Sequence, residues 1–225
     1  MIAKLPRWVL LGGIVLSFIG GMINAAGYLS FRHQAVTHMT GTTTLLGIGV
    51  ANADAGESLK FGGVALAFLL GAALGGLIVR DSALRLGRRY GVALSLESVM
   101  LFLAAPLVLR EHMSGLWLLA AACGLQNSMA STYSGAVVRT THVSGLYTDL
   151  GMFFGQWLRG VALDGRRVRL YVALVFGFFT GGVADALLFP YIGEYSLLFP
   201  AVLTGLVGIA YTIYRHRHPV AAETA

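Results

Sequence analysis

Charge is what this chain has least of. Only 12% of its 225 residues are Asp, Glu, Lys or Arg, about half the share of a soluble domain. With 56% hydrophobic residues, 30 glycines and a mean hydropathy of +0.74, that shortage points to an integral membrane protein. Cysteine is nearly absent. Cys123 stands alone in an apolar run, which excludes an internal disulfide and a cysteine metal site. The sequence also lacks HExxH, a nucleophile elbow and a phosphate loop, so no enzyme activity, metal or cofactor is expected. The net charge of +6 is no sign of nucleic acid. The basic residues sit in short clusters between apolar runs, where the positive-inside rule puts them.

A spanning helix needs about 20 apolar residues. Trp8–Leu29, Phe61–Val79, Gly91–Leu109, Leu116–Tyr133, Leu170–Leu188 and Ser196–Tyr214 meet that need, while Thr40–Ala53 and Val143–Leu158 are shorter. Trp8 to Ile23, behind Lys4 and Arg7, has the outline of a signal peptide. A repeat begins inside it, however, so retention as the first span is expected.

That repeat is the main feature of the sequence. Thr37-His38-Met39-Thr40-Gly41-Thr42-Thr43-Thr44-Leu45-Leu46-Gly47 returns as Thr141-His142-Val143-Ser144-Gly145-Leu146-Tyr147-Thr148-Asp149-Leu150-Gly151, with six of eleven positions identical at an offset of 104. A Gly-x-x-Asn precedes each copy, Gly21 to Asn24 and Gly124 to Asn127. The chain is therefore two copies of one unit, in a single membrane domain over 1–225, with repeat one about 8–110 and repeat two about 114–215.

Charge sets the expected orientation. With a cytoplasmic N-terminus and short segments that turn back, 13 basic residues fall inside and three outside (Arg32, Lys60 and Arg110). Eight full spans would give 10 to 6. The positive-inside rule thus predicts an all-α architecture of six full transmembrane helices and two short re-entrant or broken helices. They form two inverted repeats (3+3), with both termini cytoplasmic in a bacterial inner membrane.

Thr-His-Met-Thr-Gly and Gly-Leu-Gln-Asn…Val-Arg-Thr-Thr-His-Val-Ser-Gly resemble the YoaK-like bacterial membrane proteins, the domain of unknown function 1275 family. The resemblance covers nearly the whole chain. It implies a multi-span inner-membrane protein and supplies no catalytic residues. The family pattern often has Asn after the first Thr-Gly, where Thr42 stands here.

Function must then come from the residues. A helix that breaks inside the membrane exposes backbone groups that only protein or water can satisfy. Gly41 and Gly145 are expected to permit the break, with Thr40 and Ser144 capping the helix starts. Helix starts favour anions, and Thr42, Thr43, Thr44 and Thr148 add hydroxyls. Asn24 and Asn127 need polar partners, across the two-fold axis or at the Thr-Gly turns. Together these residues suit a small polar or anionic solute. The alternative is that Thr and Gly serve only close helix packing, as Gly71-xxx-Gly75 and Gly177-xxx-Gly181 are expected to do.

Ionisable residues within spans are candidates for coupling. Asp149 breaks the symmetry of the motif, opposite Leu45, and an apolar setting among Tyr147, Phe153 and Phe154 would let it load and release a proton near neutrality. His142 is its candidate relay and His38 the equivalent histidine, each otherwise expected to bond a carbonyl at the loop–helix junction. Glu97 is the second candidate carboxylate. Asp185 is expected near a helix end, within reach of headgroups. The leading expectation is a transporter or channel; the alternative is a non-catalytic membrane scaffold or regulatory protein. The lipid bilayer is the expected partner, and a homo-oligomer is compatible with the sequence.

Overall fold

In hydrocarbon a backbone amide has no water to turn to, so apolar stretches resolve into helices that satisfy themselves. The computed structural model describes residues 7–31, 33–79, 89–134 and 138–217, and among these it contains eight α-helices and no strand. They are α1 (Arg7–Leu29), α2 (Met39–Ala51), α3 (Ala55–Ile78), α4 (Arg89–Leu109), α5 (Met113–Ser134), α6 (Val143–Leu158), α7 (Gly165–Ile192) and α8 (Leu198–Arg217), with a 3-10 turn, Gly193–Leu197, before α8. Every apolar segment read from the sequence is a helix. Lys4, Arg32, Arg80, Arg85, Arg88 and His218 lie outside the described residues.

Four stretches are long and apolar enough to cross a membrane: Leu10–Leu29, Ala55–Ile78, Arg89–Leu109 and Gly165–Tyr214, the last holding both α7 and α8. Their outer faces carry large apolar side chains such as Leu69, Leu77, Phe176, Leu187 and Leu206, each more than half exposed. That surface suits lipid and would be a liability in water. Exposed Tyr191, Tyr195, Trp157 and Tyr214 gather at helix ends, where amphipathic rings meet headgroups. The protein is a helical membrane protein.

Small residues bring the helices together. On the α1–α7 seam, Gly177 lies against Ile14, Gly181 against the Phe18 carbonyl and Gly21 against the Phe178 carbonyl. On the α3–α5 seam, Gly71 lies against the Ala121 carbonyl, Gly75 against Ser128 and Gly124 against the Phe68 carbonyl. Both Gly-xxx-Gly ridges pack as expected. The glycines of the two Gly-x-x-Asn motifs turn out to be their partners. Numbers rise together along both seams, so α1 runs parallel to α7 and α3 parallel to α5. The α4–α8 seam is antiparallel: Gly91 and Leu94 meet Gly208, while Ser98 Oγ donates to the Ala201 carbonyl at 2.7 Å.

Helices α3 and α7 begin on equivalent aspartates. Asp54 accepts from the Glu57 N–H, and Asp164 from the Arg166 and Arg167 N–H groups. Such caps stabilise a helix start by roughly 1 kcal/mol. Helices α2 and α6 begin differently, and the candidate site lies at their starts.

Candidate functional site

After α1 the chain doubles back. The Gln34 N–H donates to the Gly27 carbonyl at 3.2 Å, and the Thr37 N–H and Oγ1 donate to Asn24 Oδ1 at 3.1 and 2.8 Å. Asn24 lies five residues before the end of α1 at Leu29, so the return descends about 8 Å at the helical rise. The second copy does the same along α5. Asn127 Oδ1 accepts from the Thr141 N–H and from Thr140 Oγ1, both at 3.3 Å, and Asn127 Nδ2 donates to Thr141 Oγ1. Each half-buried amide thus holds the segment that leads into a short helix. Cross-links between the halves fix the second return more firmly. Ser17 Oγ donates to the Thr140 carbonyl at 2.8 Å, and Gln126 Nε2 donates to the Leu16 carbonyl at 2.6 Å and to Thr140 Oγ1 at 3.2 Å.

Both short helices then start at one cavity of about 550 Å³, which His38, Met39, Thr40, His142, Val143 and Ser144 enter from the two copies. Asn24 and Asn127, Thr37 and Thr141, and Phe68 and Phe178 line it in matching pairs. Arg139 and Tyr147 line it from the second copy, where the first carries Ala35 and Thr43. Among the described residues, no acidic side chain is part of the wall. A smaller cavity of about 300 Å³ adjoins, lined by Arg139, His142, Thr148, Asp149 and Tyr171.

The histidines, not Thr40 and Ser144, hold the N-cap positions, and neither helix start has a side-chain cap. Thr40 and Ser144 lie within the first turn. Gly41 and Gly145 have ordinary helical backbones, since the described glycines with positive φ are Gly160 and Gly193. Their lack of a Cβ serves another end. In each copy the histidine ring folds back over the glycine, and a Cβ there would collide with ring Cδ2 and Nε2. The expected bond from each ring to a carbonyl is not made among the described residues.

Most threonine hydroxyls are already committed. Thr42, Thr43, Thr44 and Thr148 each donate to the carbonyl four residues earlier, and Thr42 also accepts from Gln34 Nε2 at 3.1 Å. Thr42 and Thr44 do not line the cavity, and Thr148 faces only the smaller one. Such back-bonding is the usual fate of a helical threonine.

The carboxylates are dispersed. Asp149 is half-buried beside the smaller cavity, while Tyr147 and Phe154 near it are exposed and Phe153 stacks on Tyr171, so the aromatic residues do not enclose it. Glu97 is fully buried in α4, and neither of its oxygens has a partner among the described residues. Asp185 is fully buried too and does not reach headgroups. Arg139, counted as a loop charge from the sequence, is exposed and also stands in the cavity wall. The pairing of Thr140 and Thr141 with α1 and α5 sets it there.

Residues 12–210 match the profile of the family described as protein of unknown function (DUF1275). The match spans both returns, both short helices and the whole cavity. The chain belongs to this family. No curated protein and no solved structure matches the chain. For this member of the DUF1275 family, the cavity geometry is therefore the direct guide to function.

Proposed function

We propose that the protein is a transporter or channel for a small polar or anionic solute, bound where the two short helices begin. One observation carries this reading. Two copies of one motif, 104 residues apart, deliver their helix starts to a single cavity between the helices. Irregular backbone at depth is tolerated where it lines such a cavity, and uncapped helix starts there are suited to polar ligands. A scaffold gains nothing from leaving them open.

In this reading the six long helices span the membrane. Helices α2 and α6, of 13 and 16 residues, are only about 20–24 Å long against a hydrocarbon core of about 30 Å, and re-enter. The halves are inverted, as the antiparallel packing of the equivalent helices α4 and α8 suggests. Both termini are cytoplasmic in a bacterial inner membrane, and Asp149 couples transport to protons with His142 beside it. Glu97 is the alternative coupling carboxylate, and the protein is not an enzyme.

Cysteine labelling tests the orientation. In a Cys123→Ala background, cysteines at Asn52, Glu111 and Tyr195, all exposed, should react with impermeant thiol reagents from outside the cell. One at Ala162, also exposed, should react only after permeabilisation. Ser196 is unsuitable because it is fully buried. External labelling at Ala162 would overturn the inverted arrangement.

Filling the cavity tests the function. Ser144→Trp should remove at least nine-tenths of solute flux from proteoliposomes and leave the protein folded by size-exclusion chromatography. A scaffold would tolerate the change, and unchanged flux in a screen of polar solutes would exclude this cavity as the route.

A further inference from the structure

Arg139 is the feature of the cavity that the motif does not explain. Among the described lining residues it is the one formal cation, and none of them is acidic. The first copy has Ala35 at the equivalent position, so the charge belongs to one half only. No carboxylate of a described residue lies within 4 Å of its guanidinium. Arg139 is exposed, so its guanidinium is open to an anionic partner that enters the cavity.

The surroundings point to which ligand. Helices α3 and α7 place aspartates over their starts, whereas α2 and α6 present theirs uncapped to the cavity. The partial positive charge of two helix starts adds to that of the arginine. The net charge and helix-start dipoles of the wall therefore favour an anion over a cation. Met39, Phe68 and Phe178 supply the opposite kind of surface, apolar and facing the same space. Arg139 and His142 are also the two residues shared with the smaller cavity, whose wall includes Asp149. Arg139 therefore has two places to find negative charge: a ligand on one side and Asp149 on the other.

We propose that the cavity binds a small organic carboxylate, with Arg139 taking its charged head and Asp149 serving as the competing internal counter-ion. This rests on the cavity being the solute site and narrows the solute to one class. The planar guanidinium fork matches a carboxylate in two-point contact. The apolar body lies against Met39, Phe68 and Phe178. When the site is empty the arginine turns toward Asp149, and the ligand displaces that carboxylate.

Thermal stability of the detergent-purified chain reads binding, because a ligand of the folded state stabilises by mass action. Propionate should raise the melting temperature in a saturable way, and the near-isosteric neutral propionamide should not. Arg139→Gln should weaken the propionate response at least tenfold in apparent affinity, and Arg139→Lys should retain part of it. Asp149→Asn should strengthen it, since the competing charge is gone. Equal responses to propionate and propionamide, or a response that survives Arg139→Gln, would overturn the proposal. Nitrate acting as well as propionate would remove the organic carboxylate as the class, and weaker binding in Asp149→Asn would remove the exchange. Should Arg139→Gln fail to fold, the comparison of propionate with propionamide on the unaltered chain still decides. Flux of neutral solutes that Ser144→Trp abolishes, with no response to any anion, would sink this inference and leave the transport reading standing. Flux indifferent to Ser144→Trp would sink the transport reading itself.

Discussion

Gly181→Ala should destabilise the protein sharply, and Gly182→Ala, one residue further along the same helix, should not. The two glycines are equal in sequence terms and opposite in surroundings. A Cβ at Gly181 would run into the backbone carbonyl of Phe18, an atom that can yield only if α1 moves as a whole. A Cβ at Gly182 would meet nothing nearer than the Gly21 carbonyl at 3.9 Å, ordinary contact. Overpacking costs roughly 1–3 kcal/mol where side chains can shift, and a rigid backbone neighbour puts Gly181→Ala at or beyond that upper end. For a chain of this size that is a drop of roughly 10 °C in melting temperature. Gly182→Ala should be neutral or slightly stabilising, because alanine is the better helix former by about 1 kcal/mol. The α3–α5 seam provides a second pair. Gly71 is pressed on the Ala121 carbonyl and Gly76 has open space, so Gly71→Ala should resemble Gly181→Ala and Gly76→Ala should resemble Gly182→Ala. Equal melting temperatures within each pair would mean that the seams are not held by backbone contact.

The second large effect is expected at the histidine–glycine stack. Gly145→Ala drives a methyl group into the His142 ring, and Gly41→Ala does the same to His38. Either substitution should cost about 1–3 kcal/mol and displace the ring from the cavity wall, with loss of most ligand response or flux. His142→Ala removes the obstacle. Combined with Gly145→Ala it should restore the melting temperature to near that of His142→Ala alone. The two substitutions would then couple by about 1 kcal/mol or more, as touching residues do. Activity should not return, because the ring itself is missing from the wall. If Gly145→Ala were harmless in an unaltered background, the ring would not be seated on the helix start.

These contrasts show what could be read from the sequence and what could not. Helix positions were legible because apolar length and the spacing of breaks depend on local composition. Val143–Leu158 emerged with both ends as read, and Thr40–Ala53 became Met39–Ala51. The partnership of Asn24 and Asn127 with the motifs was also legible, since a buried amide must bond and the motifs offered the nearest polar backbone. The reason for Gly41 and Gly145 was not. A glycine after a break suggests a strained turn, and only the fold reveals a ring lying over it. Arg139 is exposed, as a charge between apolar runs is expected to be, but its place in the cavity wall was not legible. A charge count cannot tell a free loop from a segment whose next residue, Thr140, is held by Ser17 and Gln126. The threonine hydroxyls, in contrast, were open to correction from sequence alone. Within a helix each has a carbonyl one turn back that claims it before any ligand does.

Helix α5 bears on how the chain enters the bilayer. It does not qualify among the stretches apolar enough to cross unaided, for it carries Gln126, Asn127, Ser128, Ser131 and Thr132. Gln126 Nε2 and the Asn127 amide bond to groups outside the helix, the Leu16 carbonyl, Thr140 and Thr141, while Gln126 Oε1 has no partner among the described residues. Thr140 and Thr141 have not yet left the ribosome when α5 emerges. Its strongly apolar neighbour α4 precedes it by the three residues 110–112, a tether short enough for the two to partition as one hairpin. Helix α3, already inserted, offers a seam against which α5 can lie. Weakening α4, for example with a charged residue at Phe102 or Leu103, should therefore strand α5 at the translocon and send the chain to proteolysis before its second half is made.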